Sequence, residues 1–159
     1  MQTKILLALS ACVTLSSCAA HADPVNVPAF TAMSEPKLDG IEVREGDGVY
    51  GWADKTQSLV WYGDLRDVGA LQVALKLTLP AGATAAWKLS LTGQNPDEAR
   101  TQNFALTANV AGTGAEQTVD FGTVNIAKPG FYRVALEGVE KSGATFGDIK
   151  TLVFDGPAA

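Results

Sequence analysis

The stretch Leu71-Gln72-Val73-Ala74-Leu75-Lys76-Leu77-Thr78-Leu79 decides the fold. Leucine or valine falls at every second position, with Gln72, Lys76 and Thr78 between. Successive side chains of an extended chain point to opposite faces, so this period sets one face in a core and the other in water. The pattern repeats outward along the chain. Trp87, Leu89 and Leu91 alternate with Lys88, Ser90 and Thr92, and Phe104, Leu106, Ala108 and Val110 with Asn103, Thr107 and Asn109. Val119 and Phe121 face away from Thr118 and Asp120, and Tyr132, Val134 and Leu136 from Arg133 and Glu137. Ile41 and Val43 predict a short first strand. Ser58 to Tyr62 and Ile149 to Phe154 are apolar on both sides, as more central strands are. Pro80-Ala81-Gly82, Ala111 to Gly114, Lys128-Pro129-Gly130 and Lys141-Ser142-Gly143 punctuate these runs. The one helical signal is a single turn over Asn95 to Arg100, capped by Asn95. The expectation is an all-β, antiparallel two-sheet β-sandwich, jelly-roll-like, with eight or nine strands over residues 37–159.

The N-terminus reads as an export signal. Lys4 precedes a short apolar run, Ile5 to Leu15, and Leu15-Ser16-Ser17-Cys18 resembles the lipobox of bacterial lipoproteins. The run is too short to span a bilayer, which takes about 20 residues. Cleavage before Cys18 would leave a leader of residues 1–17 and a lipid-anchored cysteine. Cleavage after Ala20-His21-Ala22 would leave a leader of 1–22 and a soluble product. The lipoprotein reading is preferred, and Ala19 after the cysteine points, by resemblance to sorted lipoproteins, to the outer membrane. Either reading exports the protein, to the outer membrane or to the periplasm and beyond. Residues 18–36, with Pro24, Pro28 and Pro36, predict an extended tether whose end Phe30 would pin to the core.

Composition excludes several functions. The chain carries a net charge of −5, and loss of the leader removes only Lys4, giving −6. An acidic domain repels phosphate backbones, so nucleic acid is not an expected partner. Both cysteines, Cys12 and Cys18, and the single histidine, His21, lie before the domain. Ser-His-Asp triads, Cys-His pairs and His-ligated zinc are therefore unavailable to it. Paired carboxylates remain, but Asp47, Asp54, Asp64, Asp67, Asp97 and Asp148 sit beside glycines or at expected turns, where solvated Asp is normal. The expectation is no enzyme.

A longer set of residues carries a family resemblance. Pro129-Gly130-Phe131-Tyr132-Arg133-Val134, Leu136-Glu137-Gly138-Val139 and Phe146-Gly147-Asp148-Ile149 follow Gly51-Trp52-Ala53-Asp54, Tyr62 and Val68-Gly69-Ala70-Leu71. Together they resemble a bacterial domain of unknown function, number 5077. The resemblance implies a β-sandwich similar to carbohydrate-binding modules. The chain departs from that family at Phe131, where Tyr is usual after the turn glycine.

A sugar presents C–H faces and hydroxyl rims, so its site needs a flat aromatic surface beside carboxylates or amides. Tyr50, Trp52 and Asp54 have that composition, and Tyr62 and Asp64 form a second cluster. Core packing and binding compete on nearly even terms for Tyr50 and Trp52, with core packing ahead, and core packing is favoured for Trp61 and Trp87 by their register with Leu59 and Leu89. Sandwiches of the carbohydrate-binding kind often hold a structural calcium. If the first and last strands pair, Glu42, Asp47 and Asp148 would converge on one, with Glu45 near; Asp148 can equally cap its own turn. No other cofactor is expected. The function expected is non-catalytic binding of glycan or another envelope polymer; the alternative is a protein-interaction module for an envelope protein. The membrane would be reached only through lipid on Cys18.

Overall fold

The computed structural model describes residues 23–37, 39–94 and 102–159. The leader, Cys18, His21 and the expected helical turn at Asn95 to Arg100 lie outside the described residues. Eleven strands are present among those described: β1 Val25–Pro28, β2 Met33–Glu35, β3 Glu42–Arg44, β4 Gly48–Tyr50, β5 Ser58–Leu65, β6 Gly69–Thr78, β7 Thr84–Gly93, β8 Asn103–Ala111, β9 Glu116–Ile126, β10 Gly130–Lys141 and β11 Asp148–Asp155. They form two antiparallel sheets. One runs β3-β4-β11-β6-β9 with β1 also on β11, and the other runs β2-β5-β10-β7-β8. No helix among the described residues is long and apolar enough to cross a membrane.

The all-β sandwich expected from period two is the fold observed, with eleven strands rather than eight or nine. The deciding stretch falls on β6, between β11 and β9, and Leu71, Val73, Leu75, Leu77 and, just past its end, Leu79 are all fully buried. Trp87, Leu89 and Leu91 of β7 face them from the other sheet, joined by Trp61, Val134 and Leu136. The extra strands are β1, β2 and β4, too short to show a period.

Two of them overturn the tether. Val25 to Pro28 pair with Phe154 to Thr151 of β11, and Met33 to Glu35 pair with Val60 to Ser58 of β5. Residues 25–35 thus contribute a strand to each sheet, and the domain begins before Lys37. Ala29, not Phe30, is the residue that packs fully into the core. Gln57, the one buried polar side chain among the described residues, donates through Nε2 to Lys37 O (3.0 Å) and Asp39 O (2.6 Å). That pins the next turn to β5.

The two halves of the sequence resemblance meet inside the sandwich. Trp52 and Phe146 are fully buried, with ring centroids 5.0 Å apart and planes tilted by 44°. Phe146 N–H donates to Trp52 O (2.8 Å), and Trp52 Nε1–H donates to Asp54 O (3.1 Å). The Phe146 ring lies on the backbone of Gly138, where a Cβ would stand 2.4 Å from it. Burying two such rings removes roughly 150–250 Å² each from water. At ~25 cal/mol per Å² that is about 4–6 kcal/mol each before entropy is charged. These motif residues therefore hold two loops together.

Candidate functional site

The first aromatic cluster does not form a sugar platform. Trp52 has 0% exposure, so no ligand reaches its face. Asp54 closes the adjoining turn: its Oδ1 accepts the Thr56 N–H at 2.8 Å, the main cause of a carboxyl held below its usual range. Tyr50 is partly exposed, but its ring is already flanked by cations. The Arg44 guanidinium lies 4.0 Å and the Lys150 ammonium 4.5 Å from its centroid. Its hydroxyl donates to Asp47 and accepts from Lys150.

The same neighbours decide the calcium expectation. The first and last expected strands do not pair directly: β4 lies between β3 and β11, with Val49 opposite Ile149. Lys150 bonds Asp47 Oδ1 at 2.6 Å, and Arg44 bonds both Glu42 oxygens at 2.8 and 3.0 Å. Those bonds are the leading causes that hold the Asp47 and Glu42 carboxyls below their usual range. Asp148 opens β11 opposite Thr78, with β4 standing between it and Glu42. Among the described residues no three His, Cys, Asp or Glu side chains gather to hold a metal. A dication would have to displace two side-chain cations, so Glu42, Asp47 and Asp148 do not fit calcium.

The second cluster is placed differently. Trp61 and Tyr62 are consecutive in β5 and point to opposite faces; Trp61 joins the core and Tyr62 is 51% exposed. Asp64 is two residues on and shares the outer face with Tyr62. The β5–β10 register sets Tyr62 opposite Arg133 and Asp64 opposite Phe131. Phe131, at 63%, is the most exposed large apolar side chain among those described. The two aromatics stand on a cross-strand diagonal, where side chains are about 7–8 Å apart. The row through Tyr62 continues across the sheet as Arg133, Thr92 and Asn103. Arg133 donates to Glu35 Oε2 of β2 at 2.5 Å. Partial burial pulls its pKa down, but bonds to Glu35 and Tyr62 outweigh that and the net shift is upward. The face thus offers two aromatic surfaces flanked by a fixed guanidinium, a carboxylate, a hydroxyl and an amide. Phe131 and Arg133 were not singled out as site residues, although their alternation with core-facing Tyr132 and Val134 signals their outward direction.

Concavities among the described residues include one away from this face and one beneath it. The larger, about 770 Å³, is an open groove between Lys55, the ends of β7 and β8, and Glu140 to Ser142. No aromatic side chain lines it. The smaller, about 60 Å³, sits beneath Tyr62 among Trp61, Gly63, Leu65 and Tyr132.

A family model described as Domain of unknown function (DUF5077) matches residues 27–159. No curated protein matches the chain. Among solved structures, a family 35 carbohydrate-binding module from Clostridium thermocellum is 14% identical, with 84% of this chain and 98% of that chain covered and a TM-score of 0.60. A module of the same family from Cellvibrio japonicus is 19% identical over 84% and 93%, with a TM-score of 0.53. A Podospora anserina β-(1,4)-mannanase carrying such a module is 11% identical, with a TM-score of 0.56; 84% of this chain is covered, and it spans only 28% of that enzyme. These likenesses are of fold.

Proposed function

Since the chain belongs to the DUF5077 family, we propose that it is a non-catalytic β-sandwich that binds glycan on the outer face of its five-stranded sheet. The observation that carries this is the exposed pair Tyr62 and Phe131, set among Arg133, Asp64, Thr92 and Asn103. Stacking on a sugar's C–H face needs a desolvated aromatic surface, and hydroxyls need fixed donors and acceptors beside it. Arg133 is held by Glu35 and enters the site with part of its ordering cost already met. The neighbouring fold class includes carbohydrate-binding modules, which is consistent with this use of a sheet. In the same reading the protein is exported and lipid on Cys18 holds it at the outer membrane.

The test is retention on immobilised polysaccharides and a glycan array. Wild-type chain should be retained, and Tyr62→Ala and Phe131→Ala should each weaken binding about tenfold, the order of one lost aromatic contact. Both side chains are exposed, so both variants should melt close to wild type. Retention unchanged in both would refute the site.

A second reading rests on Met33, which is also exposed and lies on this outer face opposite Val60. Apolar side chains spread over a flat face suit an envelope protein as partner. No retention of any glycan, with specific envelope-protein capture lost in Phe131→Ala, would favour it.

A further inference from the structure

An open sandwich exposes sheet edges, and edges invite pairing with other chains unless they are guarded. Most edges here are guarded. β3 is three residues long and carries the ion-paired Glu42 and Arg44. β2 is equally short and runs into Pro36, and β1 ends on Pro28. β9 is long but carries Glu116 and Asp120, and its ladder with β6 is broken by a bulge near Gly122. Among the described edge strands, only β8 lacks such a device. Its nine residues, Asn-Phe-Ala-Leu-Thr-Ala-Asn-Val-Ala, include no charge, no proline and no glycine.

The direction of its free backbone groups follows from the ladder with β7. Gly93 N–H donates to Gln102 O (2.9 Å) and Gly112 N–H donates to Ala83 O (2.7 Å), at either end of an unbroken register. Hydrogen-bonded pairs alternate along an antiparallel ladder, so the even-numbered residues of β8 bond to β7. Asn103, Ala105, Thr107, Asn109 and Ala111 therefore point N–H and C=O away from the sheet. Ala111 O also accepts the Gln117 side chain at 3.4 Å, and a carbonyl retains a second lone pair. Among the described residues no other strand is hydrogen-bonded to this edge, though β9 of the facing sheet approaches β8. The inward side chains of β8, Phe104, Leu106, Ala108 and Val110, are only half-buried.

We propose that β8 pairs antiparallel with β8 of a second copy of this chain, about a two-fold axis through Thr107, joining the two five-stranded sheets into one. The strand is complementary to itself in that register. Thr107 meets Thr107 and Ala105 meets Asn109 on the outer face; Phe104 meets Val110 and Leu106 meets Ala108 on the inner face. Threonine pairs and aromatic–β-branched pairs are among the favourable cross-strand combinations. No two charges are opposed, and the half-buried apolar row gains cover. A symmetric contact of this kind closes on a dimer. The pairing is independent of the glycan reading, and its test uses no ligand.

The test is sedimentation velocity with light scattering on the purified chain, from micromolar to millimolar concentration. Wild type should pass reversibly from monomer to dimer. Thr107→Glu sets two carboxylates face to face across the axis, yet within one chain residue 107 lies opposite Lys88, so the fold is retained. It should weaken the dimer about tenfold. Thr107→Pro removes the central edge donors and should abolish it. Thr118→Glu on the guarded β9 edge should leave it unchanged. Circular dichroism and melting confirm that each variant is folded. A monomer throughout the range, or a dimer that survives both Thr107 substitutions, would overturn the proposal.

Discussion

Gly138→Ala tests whether the motif glycine makes room for Phe146. A Cβ at 138 would stand 2.4 Å from Cε2 and Cζ of the Phe146 ring and 2.6 Å from Cε1. Carbon atoms pack at ~3.5–4.0 Å, so the ring must retreat by about 1 Å. Its retreat is blocked. Trp52 stands 5.0 Å away, fully buried and held by its own bond to Asp54 O, and the Phe146 backbone is tied to Trp52 O at 2.8 Å. Overpacking of this kind costs ~1–3 kcal/mol. Replacing a strand glycine returns roughly 0.5–1 kcal/mol of chain entropy. The net expectation is a loss of about 1–2 kcal/mol, read as a Tm lower by about 3–8 °C and a lower urea midpoint with unchanged slope. Phe146→Leu should cost stability alone but should relieve Gly138→Ala in the double variant, with a coupling of about 1 kcal/mol. A Gly138→Ala variant as stable as wild type, or strict additivity with Phe146→Leu, would show that the Phe146 ring is free to move off residue 138.

Trp52→Ala should lose about 3–5 kcal/mol in urea unfolding, the cost of emptying a large buried site. A loss below about 1 kcal/mol would contradict its place in the core. Gly63→Ala should stabilise by roughly 0.4–1 kcal/mol, because an added Cβ meets nothing within 4 Å and the backbone there is not left-handed; a lower Tm would count against it. The Asp47 carboxyl is depressed, so its contribution is present above its unfolded value, near 3.8, and is lost as pH falls through the lower folded value. Asp47→Asn should therefore lower the Tm slightly at pH 7 and match wild type under strong acid. An equal difference at both pH values would show that the Lys150 pair contributes nothing pH-dependent.

The long strands were legible because period two persists through them. The alternation from Leu71 to Leu79, along β6 and one residue past it, holds for nine positions, and the side chains so marked are the ones in the core. β1, β2 and β4, of three or four residues, are too short to show a period, and their prolines and turn glycines read as loop. Their strand character comes from β11 and β5, which offer them ladder bonds. Trp52 was only half legible, for a related reason. An aromatic beside glycines and Asp has the composition of a binding loop. What turns it inward is Phe146, distant in sequence, settling against it over Gly138. Tyr62 and Asp64 were visible as a pair on one face. Their meeting with Arg133 and Phe131 depends on the β5–β10 register, which no local pattern encodes.

Chemical-shift mapping of the labelled chain titrated with a retained oligosaccharide tests the central claim most directly. Saturable shifts should centre on Tyr62, Asp64, Phe131 and Arg133, fade toward Asn103 and be absent from Trp52. Shifts centred instead on the groove around Lys55, Asn109 and Glu140, with the Tyr62 face unmoved, would contradict it.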